Sequence, residues 1–297
     1  MRITSNTLTD QLQLQLQRLG QDQSRYTQQI ASGQRLQSLS EDPSAANRLM
    51  DYSSRKRMVQ QYDNNAEMAN QASVLNGMHL SQLKNMSNRA YNVAVGAASQ
   101  NPAERSLSSE QINGILETSL SLVNSRHNGD NLYGGSEFTT TPFAVTRDAG
   151  GKITGVTYNG TAGSAPSIQI GEQLSVSPLN NGAKNSQLAA FLNNLVGLRD
   201  AISAGDVTQT NTFQNGVADN EDQLLLMEAD NASAQYQIQI ARESNSARFN
   251  QLVDLHDQDA GINMANTMLA LKQTQISYEA ALQVAGSMNQ SSLLDYL

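Results

Sequence analysis

Asp254, Asp257 and Asp259 crowd one short stretch, and carboxylates at such spacing are the raw material of an oxygen-ligand cation site. They lack the alternating order of a calcium loop and its closing glutamate. Helical periodicity also runs through them, so a solvated helix face is the expectation. His79, His127 and His256 stand apart, with no second histidine one helical turn away, which favours packed or exposed imidazoles over a zinc site. The chain has no cysteine, excluding disulfides, thiolate metal sites and cysteine nucleophiles. No G-x-S-x-G, phosphate loop or dinucleotide fingerprint occurs. The sequence therefore points away from an enzyme, with no catalytic residue, cofactor or metal expected. Two polar residues are placed with more purpose. Gln23 and Gln275 each interrupt an apolar helical stripe, where a buried amide either fixes register between helices or sits at the edge in water.

Those stripes lie at the two ends of the chain. Near the C-terminus, from Ile262 to Leu297, Met264, Met268, Leu271, Tyr278, Leu282 and Ala285 recur at steps of three and four, with Gln275 in the vacant turn. Near the N-terminus Leu12, Leu16, Leu19, Tyr26 and Ile30 repeat the spacing around Gln23. So narrow a stripe needs a partner helix, and the two ends suit each other or copies of themselves. Alone, each helix is marginal in water, so the ends are expected to order when neighbours cover Leu12, Leu16, Leu19, Met268, Leu271 and Leu282.

Between the ends, residues 3–31 form the first helix, with Gly33 as its stop. Asp42 is placed as an N-cap and Pro43 as the first helical residue of a second helix, with its run beginning at Ser44. Periodicity continues to about Ser99, a length of roughly 80 Å if unbroken, although Asn76-Gly77 could interrupt it. Asn101-Pro102 ends that helix. Ser108 and Gln111 then form a capping box for a shorter one carrying Ile112, Leu116, Leu120 and Val123, which stops at Asn128-Gly129 and makes a helical hairpin. From 131 to 185 the texture turns to Gly, Thr, Ser and Pro. There Lys152–Tyr158 and Ser167–Ile170 flank Asn159-Gly160, predicting a small antiparallel unit. Leu188, Phe191, Leu192, Leu195, Leu198 and Ile202 mark a helix ended by Gly205, and a last long run starts near Asp206 or Thr208. The fold class is mainly α: a long antiparallel helical bundle or coiled coil formed by the N- and C-terminal halves, with a small β-rich insert in the middle. The expected divisions are 1–42 plus 257–297 as terminal helices, 43–132 plus 184–256 as a helical body, and 133–183 as the insert.

Composition narrows the partners. Charged residues make up only 15% of the 297, below the usual quarter, and the net charge is −8. The Lys and Arg residues are scattered, so neither nucleic acid nor a membrane surface is an expected partner. No apolar run has the length of a membrane span or the pattern of a cleavable signal peptide.

The pattern of terminal helices, together with Ala31-Ser32-Gly33-Gln34-Arg35-Leu36 and Glu41-Asp42-Pro43-Ser44-Ala45-Ala46, resembles the flagellin superfamily of bacterial flagellar axial proteins. Within it, Asn131-Leu132-Tyr133-Gly134-Gly135-Ser136, Thr140-Thr141-Pro142-Phe143 and the tail Ser291–Leu297 look more like the junction subunit between hook and filament than like the filament subunit. The resemblance implies a structural protein of the flagellum that leaves the cell by type III export, without a cleavable signal peptide. Its implied partners are copies of itself, a hook-associated protein on the hook side, an axial protein on the filament side, and an export chaperone at the C-terminal helix. The assembly residues would be Leu12, Leu16, Leu19, Tyr26, Ile30, Met264, Met268, Leu271, Tyr278 and Leu282. Arg35, Asp42 and Pro43 join them as contacts between subunits, or else form a plain loop and helix cap. A different class of reading is a secreted adhesin or enzyme that uses the insert.

Overall fold

A computed structural model of the chain describes residues 2–294 apart from 39, 98, 128, 138, 162 and 164, with side chains described from 10 to 287 outside those positions. The elements run α1 (Arg2–Ser32), α2 (Pro43–Ala97), α3 (Pro102–Val123), β1 (Arg126–His127), β2 (Asp130–Asn131), β3 (Phe143–Arg147), β4 (Ile153–Tyr158), β5 (Ile168–Gln169), β6 (Ser175–Val176), α4 (Gly182–Ala204), α5 (Val207–Ala260) and α6 (Met264–Leu294). The fold is mainly α with small antiparallel strand pairs, and the terminal helices α1 and α6 pack together. Helix starts obey one chemistry, an Asn or Asp side chain accepting the first orphan N–H groups. Asp42 Oδ1 accepts from Ala45 N at 3.0 Å, Asn181 Oδ1 from Lys184 N at 2.9 Å, Asp206 Oδ1 from Gln209 N at 3.0 Å and Asn263 Oδ1 from Asn266 N at 3.1 Å. Helix α2 begins at Pro43, the residue expected in its first helical position, and runs unbroken through Asn76-Gly77.

The start of α3 corrects the sequence reading. Asn101 is its cap, accepting from Ala103 N and Glu104 N while Glu104 reaches back to Asn101 N, and Pro102 fills the first helical position. Ser108 is instead buried inside the helix, where its hydroxyl donates to Gln100. Ser108–Gln111 has the letters of a capping box, but Asn101-Pro102 meets the geometric need first. The helix also ends earlier than Asn128-Gly129, at Val123 with Asn124 as its cap. Arg126–His127 then pairs with Asp130–Asn131, and Gly129, at φ +94°, belongs to that hairpin.

The chain divides into two compact units, 59–247 and a second built from 1–58 with 248–297. The core of the first unit is formed by α3 and α4 packed closely together and by α2, α5 and the β3–β4 pair. Helix α3 returns along α2, since Ser119 meets Met86 while Ser108 meets Gln100. Phe191, Leu192 and Leu195 of α4, Ile112 and Leu116 of α3, and Leu80 and Leu83 of α2 are all essentially excluded from solvent. At glycine 197 a β-carbon would stand 2.4 Å from the Phe213 ring, so close packing of α4 on α5 requires the missing side chain there.

The antiparallel unit expected around Asn159-Gly160 has a different construction. Strand β4 pairs with β3, Phe143 opposite Tyr158 and Val145 opposite Val156. The turn lies at Asp148–Gly151, where Asp148 Oδ1 accepts from Lys152 N at 2.9 Å and Gly151 takes φ +83°. Gly160 is needed for another reason: a β-carbon there would stand 2.8 Å from the carbonyl oxygen of Gly134. Both edges of this two-stranded sheet are closed by asparagine side chains, each mimicking one residue of a third strand. Asn124 exchanges two hydrogen bonds with Phe143, both 3.0 Å, and Asn193 exchanges two with Val156, 2.9 and 2.8 Å. Arg199, buried, adds a bond from Nη2 to the Ile153 carbonyl at 2.7 Å and one from Nη1 to Asn113 at 3.1 Å.

Strands β5 and β6 form a separate hairpin lying on the helices. Ile170 and Val176 insert among Ala66 and Ala69 of α2 and Ala234, Ile238 and Ala241 of α5. Asparagines on the same two helices hold its backbone: Asn65 donates to Gln169 O at 2.8 Å and Asn245 to Ile170 O at 3.0 Å.

Candidate assembly interface

The unit made of 1–58 and 248–297 carries every residue expected to act in assembly. Gly33, at φ +69°, ends α1 with its N–H on Gln29 O, and the chain turns into a loop running from Gln34 to Asp42. That loop is tied to the corner between α5 and α6. Gln34 forms an antiparallel bridge with Gly261, and Arg35 N donates to Ala260 O at 2.7 Å. The Arg35 guanidinium lies on Asp259 O, at 3.4 and 3.5 Å, and on Asp42 Oδ2 at 3.4 Å. Gln29 donates to Arg35 O at 2.7 Å. From the start of α2, Arg48 meets Asp259 as a fork, Nε to Oδ2 at 2.8 Å and Nη2 to Oδ1 at 3.2 Å.

The charges follow this geometry. The hydrogen bond from the Ala45 backbone holds the Asp42 carboxyl below its ordinary range, helped by Arg35. Hydrogen bonding by Arg48 does the same for Asp259, and Asp259 in turn raises Arg48. Asp259 is thus an ion-pair partner and not one of a solvated trio. Among the described residues no group of three or more His, Cys, Asp or Glu is placed to hold a metal ion. His256 Nδ1 lies 3.3 Å from Asp257, and His79 is buried with Nδ1 3.3 Å from the Ser125 hydroxyl.

On α1 the stripe is where the spacing puts it. Leu12, Leu16, Leu19, Tyr26 and Ile30 are all half-buried, and so is Gln23. Helix α6 differs. Leu271 and Tyr278 are half-buried with Gln275, but Met264, Met268 and Leu282 are exposed at 42, 52 and 47%. The shielded face is instead Thr267, Ala270, Leu271, Thr274, Tyr278 and Ala281. Met264, Met268 and Leu282 lie about 60 to 100° around the helix axis from the centre of that face. The apolar arc of α6 is therefore wider than the seam it shares with α1, leaving a methionine and leucine flank uncovered. Leu269, Ile276 and Val284 are exposed on the same helix. The tail motif lies outside the described residues in its last three positions, and the side chains of 291–294 are not described.

Arg48, Asp259, Gln34 and Gly261 escape a sequence reading because their partners are more than 200 residues away. Ala270 and Ala281 escape it because alanine gives no contrast in a periodic pattern. The one available signal was Gly261-Ile262-Asn263, a glycine stop followed by an N-cap residue, which places a corner there.

No family model matches the chain, and no curated protein sequence matches it. Solved structures do. A protein from Vibrio parahaemolyticus described as flagellar hook-associated superposes with a TM-score of 0.64 at 14% identity, covering 74% of this chain and 100% of its own. The Bacillus cereus protein FlgL gives 0.59 at 17% identity, covering 70% of this chain and 99% of its own. The flagellar junction protein FlgL from Legionella pneumophila gives 0.54 at 13%, covering 73% and 100%. At these identities what is shared is architecture. The chain has the fold seen in flagellar hook-associated and junction proteins.

Proposed function

We propose that this chain is a structural component of the bacterial flagellum, the hook-filament junction protein, which joins hook to filament by helical self-assembly through its terminal helices. The observation that carries the reading is the uncovered apolar flank on the paired terminal helices of a chain with the hook-associated fold. Met264, Met268 and Leu282 offer neighbouring copies a surface that α1 does not occupy, while Leu12, Leu16, Leu19, Tyr26, Ile30, Leu271 and Tyr278 build the pair presenting it. Leaving apolar side chains in water is unfavourable by about 25 cal/mol for each Å² that association could bury. Arg35, Asp42 and Pro43 support the interface from within, by shaping the loop next to it. Export takes the type III route to the cell exterior, and a chaperone covers α6 before assembly. The partners in place are copies of the chain, a hook-associated protein and a filament-side axial protein.

Immunogold labelling of intact cells with antibody to this chain tests the reading. A band confined to the joint between hook and filament is expected. Label along the whole filament would make the chain a filament subunit, and unlabelled flagella would remove both assignments.

A further inference from the structure

We infer that the base of the insert is built around internal water: the Tyr133 hydroxyl and the side-chain oxygens of Asn76 and Asn185 bind ordered water inside the folded chain. The site involves the Asn131–Ser136 tract and is independent of what the chain assembles with.

The three residues belong to one set of contacts. Tyr133 follows β2, and its ring centroid lies 6.3 Å from that of His79 on α2. Asn76, one helical turn before His79, donates to Pro178 O at 3.4 Å and to Asn231 Oδ1 of α5 at 3.3 Å. Asn185, near the start of α4, donates to Tyr133 O at 2.8 Å and to the Tyr158 hydroxyl at 3.2 Å. Tyr133, Asn76 and Asn185 are closed to solvent, at 0, 1 and 0% exposure. Among the described residues, nothing pairs with Tyr133 Oη, Asn76 Oδ1 or Asn185 Oδ1.

Turning the amides over does not remove the shortage. Each Nδ2 is already engaged as a donor, and a turned amide would set its oxygen against the carbonyl of Pro178 or of Tyr133. Buried polar atoms in folded proteins are nearly always paired with protein or with water, because an orphan gives up its hydration for nothing in return. Three orphans on residues this closely connected therefore point to a shared ligand.

That ligand is small, neutral and able to donate. The two amide oxygens only accept, and the phenol can do either. The hydrogen-bonding and ring partners of these residues are uncharged. Burial keeps the Tyr133 phenol protonated and favours neutral His79, so the surroundings offer no charge to balance an ion. Water meets each condition, giving two hydrogens while accepting from the phenol. Solvent also comes near: a cleft of about 180 Å³ is lined by Ala72, one turn before Asn76, by Leu132, which precedes Tyr133, and by Leu179. Water held by the three oxygens bonds α2, the Asn131–Ser136 tract and α4 where the insert leaves the helices.

The test pairs oxygen-17 relaxation dispersion of water, which counts long-lived internal waters, with urea unfolding, both on the full-length chain. Tyr133→Phe removes one oxygen and leaves the ring. It is expected to lose at least one long-lived water and to raise the unfolding equilibrium constant roughly three- to tenfold. Tyr158→Phe is the control, since the Tyr158 hydroxyl already has Asn185 as a partner within the chain, and it should keep the native water count. An unchanged count in Tyr133→Phe would overturn the inference. So would a Tyr133→Phe chain as stable as the native one or more so, which is what removal of an unhydrated hydroxyl gives. A native chain without long-lived water would overturn it with no variant needed.

Discussion

Asn193 holds Val156 by both of its main-chain groups, Oδ1 accepting from Val156 N at 2.9 Å and Nδ2 donating to Val156 O at 2.8 Å. One side chain of α4 thus occupies the place of a neighbouring strand. Replacing it by alanine orphans two backbone groups at the partly buried edge of β4. Asn193→Ala should lower stability by about 1 to 3 kcal/mol, measured by urea unfolding followed by circular dichroism. Asn193→Asp keeps the acceptor but turns a carboxylate oxygen toward the Val156 and Ala189 carbonyls, so it should lose at least as much at neutral pH.

Acid should open the corner between the chain ends. Asp42 and Asp259 are held below the ordinary carboxylate range by the Ala45 N–H and by Arg48 respectively. Their contribution is present above about pH 4, the unfolded value, and is lost as pH falls through the lower folded values. Limited proteolysis at decreasing pH should release α1 and α6 before the other unit is cut. High salt should weaken the exposed pairs in the same direction.

The flank and the seam of α6 should respond differently to polar substitution. Met268→Gln and Leu282→Gln are expected to leave thermal unfolding within about 0.5 kcal/mol of the native chain while suppressing self-association in sedimentation. Leu271→Ala or Leu16→Ala touches the seam and should weaken both the pair and its assembly. Loss of stability in the flank variants would show that the flank is already covered within the chain.

A fourth test concerns His79. Burial lowers its pKa, so the folded unit favours neutral imidazole. The unfolded chain then takes up a proton first, and stability should decline as pH falls below about 6.5 toward the folded value. His79→Gln should flatten the pH dependence of unfolding between pH 7 and pH 5.

How much of this was legible in the sequence depends on contrast. The α1 stripe stood out because its leucines alternate with Gln and Asp, and the structure turns all five predicted residues toward shelter. Helix α6 is apolar over a wide arc, so periodicity alone could not choose between the edge with Ala270 and Ala281 and the edge with Met264 and Met268. Turn chemistry misled where two signals competed: Asn159-Gly160 and Asp148–Gly151 both suit a hairpin, and pairing of β4 with the Phe143 strand decided between them. The Arg48–Asp259 pair was out of reach because charge pairing across 211 residues leaves no local trace.

That same separation dictates an order of events. Arg35 meets the main chain of Asp259 across 224 residues, and closing so long a loop costs entropy that only later contacts can offset. A chain made from its N-terminus has α1 long before it has α6, whereas α3 and α4 can join while synthesis continues. On the assembly reading proposed above, the pair α1–α6 is completed last, and a half-made chain would have nothing with which to join an assembly.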